Sequence, residues 1–305
     1  MNNISVIIPT HNRPHLLLLA LKSIEEQLEK PDEVIVVMYG VNEETEQFLS
    51  QYKSNHFSFK FIKISQSKGA CYARNLGASK ASGDILMFLD DDDTWENRKI
   101  QSQIKQFNLD PEVGLVYSGK LVVYNTNRKK VIRKIPAILK GDLYPKIFED
   151  NYIGTTSSVA IKKEIFKRAG GFDENLPAMQ DYDLWIRCCK LTKISHDNEY
   201  NVRYTVAKNA DNQISGKSEN HHRALSYLFK KYGEVLEQKD ISLQKKFKSS
   251  RFLHLSKAVH RNSYVYSLRY SLKSFYYNPN IKAMALFLPP TLLALITIFQ
   301  PANRK

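Results

Sequence analysis

The first half of the chain alternates short apolar runs with segments of helical character. The runs at residues 4–8 and 34–38 are largely Ile and Val, as expected for strands buried on both faces. Further strands are expected at 59–64, 85–89 and 113–117, and helices from about Pro14, at 42–52 and at 70–79. This alternation predicts an α/β domain with a mostly parallel central sheet covered by helices.

The second half has a less regular pattern. We expect a hairpin over residues 121–135 that turns near 125–127, a strand at 156–161, and a helix at 163–168 that ends at a glycine pair. Another helix is expected over 181–191, with an aspartate at its start. From about Ser218 the chain becomes basic and aromatic. We therefore expect a catalytic α/β domain over 1–215 and a helical C-terminal extension over 216–305.

Charge is concentrated in the C-terminal part of the chain. Of the net charge of +14, residues 216–282 contribute ten, with 14 Lys or Arg against 4 Asp or Glu. Such a segment favours an anionic surface, and phospholipid headgroups or a phosphorylated lipid carrier fit it. Without a recognition motif we expect no nucleic acid partner. A solvated helical face is the alternative.

The chain ends in an apolar segment. Residues 283–299 carry no charge but contain Pro289 and Pro290, and the run is too short for a straightforward membrane span. We expect an interfacial anchor, with a helix packed on protein as the alternative. The first residues have no signal-peptide pattern, and three cysteines suggest buried thiols rather than a disulfide framework. The expected location is therefore cytoplasmic, at the inner face of the cell membrane.

The strongest chemical signal is the segment FLDDDDTW, which follows the strand expected at 85–89. Its carboxylates are Asp90, Asp91, Asp92 and Asp93. Adjacent carboxylates repel one another unless a cation compensates, and Mg²⁺ or Mn²⁺ binds carboxylate and diphosphate oxygens together. The spacing of Asp90 and Asp92 allows one to face a ribose and the other a metal. A helix cap formed by Asp93 would explain one aspartate, not four.

A second signal is the segment MQDYDLWIRC. Asp181 and Asp183 are two positions apart, so on a helix they point in different directions. One of them can face a cleft while the other caps the helix or pairs locally, for instance Asp183 with Arg187 four residues later. The alternative is that Asp181 is an ordinary helix cap. The segment at 154–157, with Thr155, Thr156 and Ser157, lines an acceptor site or is an ordinary loop entering a strand.

Four segments in order carry a family resemblance. VIIPTHNR, KGACYARNLG, GDILMFLDDDDTW and GGFDENLPAMQDYDLWIRC resemble the motifs of the family 2 glycosyltransferases with the GT-A fold, over residues 3–205. The resemblance implies an inverting transferase that uses Mn²⁺ or Mg²⁺ at a DxD motif, with Asp92 and Asp90 as metal ligands. It also implies that Asp181 is the catalytic base.

The same resemblance implies a nucleotide-diphosphate sugar as donor. Residues 1–118 would form the half that binds the donor, and 119–215 the half that binds a glycan or lipid-linked acceptor. Bacterial surface polysaccharide or teichoic-acid-like assembly is the implied setting. The implied donor-binding residues are Pro9, Thr10, Asn12, Arg13, Tyr39, Lys68, Arg74, Asp90 and Asp91.

The chain departs from the family pattern at two places. Residues 38–41 read Met-Tyr-Gly-Val, where the family shows an acidic pair that contacts the nucleotide. Tyr39 would then stack on the base, unless it packs in the core. Gln180 stands where Glu is common, so Asp181 lacks an acidic neighbour that would raise its pKa.

Two other functions compete with sugar transfer. A nucleotidyltransferase also joins an α/β nucleotide domain to acidic metal ligands, but it would want a glycine-rich phosphate loop, and VIIPTHNRPH has no glycine. A non-catalytic protein that binds nucleotide sugars or glycans on the same fold is the other alternative.

Overall fold

The computed structural model describes residues 3–66, 68–207, 218–260 and 263–289. The chain divides into two compact units. The first contains Met1–Ile147, Asn151–Asn175 and Gln180–Lys208, and the second contains Phe148–Asp150, Leu176–Met179 and Asn209–Lys305. The boundary predicted at residue 215 lies outside the described residues and stays a prediction.

The first unit begins with alternating strands and helices, as predicted. In chain order these are β1 (Ile4–Thr10), α1 (Pro14–Glu25), β2 (Glu33–Tyr39), α2 (Glu43–Gln51), β3 (Ser58–Ile64), α3 (Gly69–Lys80), β4 (Ile85–Phe88), β5 (Thr94–Trp95), α4 (Lys99–Leu109) and β6 (Val113–Tyr117). All seven residues of β1 are buried, and so are six of the seven in β2, as expected for central strands covered on both faces.

The remaining elements of this unit form its less regular half. They are β7 (Lys120–Tyr124), β8 (Asn127–Ile135), β9 (Val159–Lys162), α5 (Lys163–Arg168), α6 (Gln180–Cys189), β10 (Lys193–His196) and β11 (Val202–Val206). The predicted hairpin is confirmed as β7 and β8. The strand predicted at 156–161 is partly wrong, because Thr156–Ser158 forms a 3₁₀ turn closed by hydrogen bonds from Ser158 to the Thr155 carbonyl.

The strands form two sheets. The larger has the order β10-β6-β9-β4-β1-β2-β3, and β9 runs antiparallel to both of its neighbours, so the sheet is mixed rather than all parallel. The smaller has the order β5-β11-β7-β8. Because β1, β2 and β4 are parallel neighbours, the loops that follow them lie at one edge of the larger sheet. The acidic segment is one of these loops.

The described part of the second unit is helical. It contains α7 (Ser218–Glu237), α8 (Ile241–Val259), α9 (Tyr264–Tyr277) and α10 (Ile281–Ala285). Phe148 packs edge-on against Tyr232 of α7 and Phe247 of α8. Within the described residues, no helix has both the length and the apolar character needed to cross a membrane. Most of the segment predicted to be an interfacial anchor, from residue 290 onward, lies outside the described residues.

Candidate active site

The loops that follow β1 and β4 are joined by hydrogen bonds. The Thr10 hydroxyl donates to Asp91 Oδ2 at 2.8 Å. An Arg13 guanidinium nitrogen lies 3.4 Å from Asp91 Oδ1 and 3.1 Å from Asp92 Oδ2. Asn12 turns the chain between them with a φ of 54°, a conformation that asparagine adopts more readily than most residues. Pro9 is buried inside β1, so it supports this loop from within the sheet.

Arg74 of α3 forms an ion pair with Asp90. The arginine is buried, and its guanidinium lies 5.3 Å from the centre of the Phe172 ring. Burial opposes its charge, but the carboxylate of Asp90 raises the pKa of Arg74 overall, so the cation persists. Arg74 therefore fixes the orientation of Asp90 and balances one negative charge of the acidic segment.

The four aspartates differ in how far they reach solvent. The side chains of Asp90 and Asp92 are 24% and 23% exposed, whereas that of Asp91 is 8% exposed and Asp93 is fully buried. Exposure therefore alternates along the segment, and the accessible pair is the pair predicted as the DxD motif.

The two middle aspartates carry a raised proton affinity. Burial, followed by the neighbouring charge of Asp92, raises the pKa of Asp91 to about 6. Burial, followed by the charge of Asp90, also raises the pKa of Asp92. Arg128 of β8 adds a positive charge here, since it donates to the backbone carbonyl of Asp92 at 2.7 Å. The described residues include no group of three or more His, Cys, Asp or Glu arranged to hold a metal. A divalent cation would therefore take one or two carboxylates and complete its shell with diphosphate oxygens, a mode that Mg²⁺ commonly uses.

Asp93 is buried and has a structural role. Its carboxylate accepts hydrogen bonds from Ser157 Oγ at 2.6 Å and from the Thr205 backbone N–H at 2.9 Å. The alternative that Asp93 caps a helix is wrong, because α4 begins at Lys99 with Arg98 at its N-cap. Ser157 also accepts a hydrogen bond from the Asp90 backbone N–H at 3.1 Å. Because Ser157 is buried and its hydroxyl is used in this way, it supports the acidic segment and does not line an acceptor site.

Asp181 lies in the first turn of α6 and is partly exposed. Its carboxylate accepts hydrogen bonds from the Tyr182 backbone N–H at 2.7 Å and from Asn151 Nδ2 at 3.4 Å. Burial raises the pKa of Asp181, while the Tyr182 N–H and then the charges of Lys120 and Arg74 act in the opposite direction. The negative charge of Asp90 also acts on Asp181, which places this carboxylate within electrostatic range of the acidic segment.

Lys120, at the start of β7, is a site residue that sequence reasoning missed. Its Nζ lies 5.1 Å from the centre of the Tyr204 ring and would lie 3.0 Å from a Cβ added at Gly154. Burial lowers the pKa of Lys120, and the charge of Asp181 is the largest influence opposing that shift. Tyr204 was missed as well. Burial, followed by the charges of the nearby aspartates, raises the pKa of its hydroxyl. A single Lys or Tyr in a strand has no distinguishing sequence pattern.

The loop at Gly154 is held beside this lysine by its backbone. The Gly154 carbonyl accepts a hydrogen bond from the Trp185 indole at 2.9 Å, and its N–H donates to Asn151 Oδ1 at 2.9 Å. Gly154 has a φ of +90°, which disfavours any side chain at this position. The loop at 154–157, for which an acceptor site and an ordinary loop were the two interpretations, therefore presents the Gly154 backbone to Lys120.

Tyr39 and Lys68 lie in different surroundings. The Tyr39 ring stacks on His11 with centroids 5.0 Å apart, and His11 Nδ1 donates a hydrogen bond to the Tyr39 backbone carbonyl. Burial raises the pKa of Tyr39 to about 12, and Arg74 and Asp91 also act on it, so Tyr39 lies near the acidic segment. Lys68 is exposed at the N-cap of α3, and its Nζ lies 4.6 Å from the Tyr72 ring. That contact does not join Lys68 to the acidic segment.

A separate polar cavity of about 420 Å³ lies in the same unit. Its lining includes Lys22, Glu26, Trp95, Arg128 and Arg203. Arg128 is the residue that also contacts the Asp92 carbonyl, so the cavity adjoins the acidic segment. None of Asp90, Asp92 and Asp181 lines it, and we do not assign the donor to this cavity.

A mixed sheet of this topology, with an acidic segment beyond β4, agrees with the GT-A fold that the sequence motifs imply. The model of glycosyl transferase family 2 matches residues 5–170. The chain belongs to this family and is a glycosyltransferase. This assignment decides against the nucleotidyltransferase and the non-catalytic binding protein considered from the sequence.

Two relatives of the chain are named as glycosyltransferases. An uncharacterised glycosyltransferase of Haemophilus influenzae is 27% identical over 241 residues, which cover 77% of this chain and 79% of the relative. The uncharacterised glycosyltransferase YwdF of Bacillus subtilis is 27% identical over 237 residues, which cover 75% and 84%.

Solved structures share the fold at low sequence identity. Residues 1–349 of S. aureus TarS in complex with UDP-GlcNAc match with a TM-score of 0.58 and 15% identity, covering 93% of this chain and 90% of that one. The mannosyltransferase PcManGT from Pyrobaculum calidifontis, in complex with GDP-Man and Mn²⁺, matches with a TM-score of 0.59 and 17% identity, covering 98% and 81%. Both neighbours bind nucleotide sugars.

Proposed function

We propose that the protein is an inverting, metal-dependent glycosyltransferase that moves a sugar from a nucleotide diphosphate to an acceptor hydroxyl. The observation that carries the proposal is the alternating exposure of the acidic segment. Asp90 and Asp92 reach solvent and are each paired with an arginine, while Asp91 and Asp93 are buried and hydrogen-bonded to Thr10 and Ser157. A helix cap or a solvated acidic loop does not require two of the four carboxylates to be exposed and two to be buried. Binding of a ligand by two of the four carboxylates does require it.

The donor site is proposed at the carboxyl ends of β1, β2 and β4. The nucleotide sugar would be contacted by the loop from Thr10 to Arg13. It would also be contacted by the side chains of Tyr39, Arg74, Asp90 and Asp91. Pro9 would contribute by holding the backbone of the loop after β1 in position. Lys68 would contact a phosphate of the donor from the edge of the site. The nucleotide sugars bound by the neighbours of known structure support this class of donor.

The residues present fit a divalent cation. Asp92 and Asp90 would hold Mn²⁺ or Mg²⁺ together with diphosphate oxygens. Burial and then the charge of Asp90 raise the pKa of Asp92, and a cation would offset the repulsion between the two carboxylates. When bound, the ion neutralises the diphosphate and makes it a better leaving group. A neighbour in complex with Mn²⁺ supports this requirement.

Asp181 is proposed as the general base. Its carboxylate accepts the proton of the acceptor hydroxyl while that oxygen bonds to the anomeric carbon from the face opposite the diphosphate. The bond from the anomeric carbon to the phosphate oxygen breaks, the diphosphate leaves with the bonding electrons, and the configuration inverts. The positive charge of Lys120 favours the ionised form of Asp181 that this step requires.

The organisation and setting of the enzyme are further parts of the proposal. Residues 1–118 would bind the donor and 119–215 the acceptor, with a helical extension over 216–305. The acceptor would be a glycan or a lipid-linked sugar at an anionic membrane surface on the cytoplasmic side. Bacterial surface polysaccharide or teichoic-acid-like assembly is the setting that this combination fits.

The test is metal-dependent use of a nucleotide sugar. Purified protein with Mn²⁺ is offered a panel of nucleotide sugars, and donor hydrolysis and thermal stabilisation are measured with and without excess EDTA. We expect both to require the metal, and Asp92→Ala to abolish turnover while the protein stays folded. Asp84→Asn, at the opposite end of β4 and exposed, is the matched control and should keep full activity. Full activity of the wild type in EDTA would overturn metal dependence.

A further inference from the structure

Helix α9 turns three serines inward and several large apolar side chains outward. Its buried residues are Ser267, Tyr270, Ser271 and Ser274. Its exposed residues include Val265, Leu272 and Tyr276, with exposed fractions of 75%, 51% and 82%. A helix at the surface of a water-soluble domain usually turns its large apolar side chains inward and its serines outward.

The inward position of the serines is specified by hydrogen bonds. Ser249 Oγ of α8 donates to the Ser274 carbonyl at 2.8 Å, and Ser256 Oγ donates to the Ser267 carbonyl at 2.8 Å. Ser271 Oγ donates to the Ala283 carbonyl at 2.6 Å. Small side chains let α8 and α9 approach closely, and these bonds fix the rotation of α9. The outward direction of the large side chains is therefore a consequence of the packing.

The outward residues form one continuous surface. Val265, Arg269, Leu272 and Tyr276 follow one another at spacings of four, three and four residues, which places them on one stripe of the helix. Exposed residues of α10 continue the apolar and basic character. We refer to this surface as the α9–α10 face, and it comprises Val265, Tyr266, Arg269, Leu272, Lys273, Tyr276, Ile281, Lys282 and Met284.

The charge of the surrounding sequence selects an anionic occupant. After Asp240 the chain has no Asp or Glu, and residues 241–305 contain eleven Lys or Arg. A second copy of this chain would bring the same positive charge to the face and be repelled. Nucleic acid would use the charges but not the exposed aliphatic side chains of Val265, Leu272, Ile281 and Met284. A lipid surface uses both, because headgroups attract cations while acyl chains accept apolar side chains, and tyrosine favours the boundary.

We propose that the α9–α10 face docks the protein on the surface of an anionic lipid bilayer. The helices would lie on the membrane, with Leu272 and Tyr276 below the headgroups and Arg269, Lys273 and Lys282 among them. The apolar sequence at 283–299 follows directly in the chain. This docking rests on the membrane setting of the proposed function but not on its chemistry, so loss of vesicle binding would leave sugar transfer at Asp90, Asp92 and Asp181 intact.

The test is sedimentation of the full chain with vesicles. Vesicles of phosphatidylcholine alone are compared with vesicles containing phosphatidylserine, at low and high salt. Leu272→Ser with Tyr276→Ser should weaken binding to the anionic vesicles by at least about tenfold, because buried apolar area is lost. Arg269→Gln with Lys273→Gln should weaken it by about 30-fold at low salt and much less at high salt.

Matched controls remove equivalent groups from the first unit. Leu109→Ser with Ile138→Ser removes two exposed aliphatic side chains, and Lys129→Gln with Lys130→Gln removes two exposed charges. Both control pairs should bind vesicles nearly as well as the wild type, and all variants should keep the wild-type melting temperature and donor hydrolysis. Unchanged vesicle binding by both face variants would overturn the proposal. So would a wild-type dimer, detected by analytical ultracentrifugation, that dissociates in the face variants without any wild-type binding to vesicles.

Discussion

Asp183 and Arg187 form an ion pair with an N–O distance of 2.6 Å across one turn of α6. The Asp183 side chain is fully buried, and the same arginine also donates to the Gly171 carbonyl at 2.7 Å. The two aspartates of the segment QDYD are therefore divided by role. Asp183 connects the helix to the preceding loop, and Asp181 is the partly exposed carboxylate that interacts with Lys120, Arg74 and Asp90.

This division predicts opposite outcomes for two conservative substitutions. Asp181→Asn keeps the shape and a hydrogen-bond acceptor but removes the proton acceptor, so turnover should fall by roughly 10²-fold or more. Donor affinity and melting temperature should change little. Asp183→Asn leaves the partner of a buried ion pair without its counter-charge, so it should cost about 3–5 kcal/mol of stability. Steady-state kinetics on the true acceptor and thermal unfolding of both variants check the prediction.

The acceptor matters in this measurement, because water attacking the donor does not require the base. Near-wild-type turnover of Asp181→Asn on the true acceptor would refute the role of Asp181. Equal destabilisation of the two variants would instead assign Asp181 to the fold.

Replacement of Lys120 is expected to change the pH dependence of kcat. Burial raises the pKa of Asp181 and the charge of Lys120 lowers it, so removal of that charge raises the pKa further. The base must be ionised, and activity is lost as pH falls through its pKa. Lys120→Met should therefore move the acid limb of kcat to higher pH, with roughly a tenfold loss at the acid end and recovery at alkaline pH. The pH profile of kcat measures this shift.

A lysine of the same sheet serves as the control for Lys120. Lys134 of β8 also lies over an aromatic ring, with its Nζ 5.7 Å from the centre of Tyr200, but it is exposed. Lys134→Met should leave the pH profile unchanged, and Lys120→Arg should keep most of the wild-type profile. A uniform loss of activity in Lys120→Met at every pH would contradict an electrostatic action on Asp181.

Loss of the hydrogen bond between Ser157 and Asp93 is expected to lower the stability of the protein rather than to impair catalysis. Ser157→Ala removes the donor to Asp93 and the acceptor of the Asp90 N–H in a buried position, which should cost about 1–3 kcal/mol. The melting temperature should fall by several degrees. Ser50→Ala removes an exposed hydroxyl that donates to the Gln47 carbonyl at 2.9 Å, and it should have no measurable effect. An unchanged melting temperature of Ser157→Ala would contradict the structural role.

Local sequence patterns predicted several of the elements and one ion pair within α6. Apolar runs predicted β1, β2 and β6 within two residues at each end, because buried central strands are mostly apolar. The ion pair of Asp183 with Arg187 is confirmed, since its partners are four residues apart on a helix. The GT-A fold is also confirmed, because four motifs in order specify it.

Contacts between distant segments could not be predicted in this way. The antiparallel position of β9 between β4 and β6 depends on a pairing that no local pattern encodes. Ser157 and Asp93 are 64 positions apart, so nothing in FLDDDDTW distinguishes the buried aspartate from the exposed ones. Lys120 and Tyr204 join the site because β7 and β11 are neighbours in the smaller sheet.

The position of Tyr39 leads to a prediction about how the nucleotide base is bound, since the acidic pair typical of the family is missing. One face of its ring is stacked on His11, and Gly40 permits this approach, since a Cβ there would lie 2.7 Å from the His11 ring. If the ring also stacks on the nucleotide base, Tyr39→Ala should weaken donor binding by about 1–3 kcal/mol, and Tyr39→Phe should bind as the wild type does. The affinity for the preferred nucleoside diphosphate, measured by titration calorimetry on folded variants, checks this. An alanine variant that melts earlier but binds with wild-type affinity would show that Tyr39 acts only in packing, and base recognition would then have to come from another residue of the loop after β1.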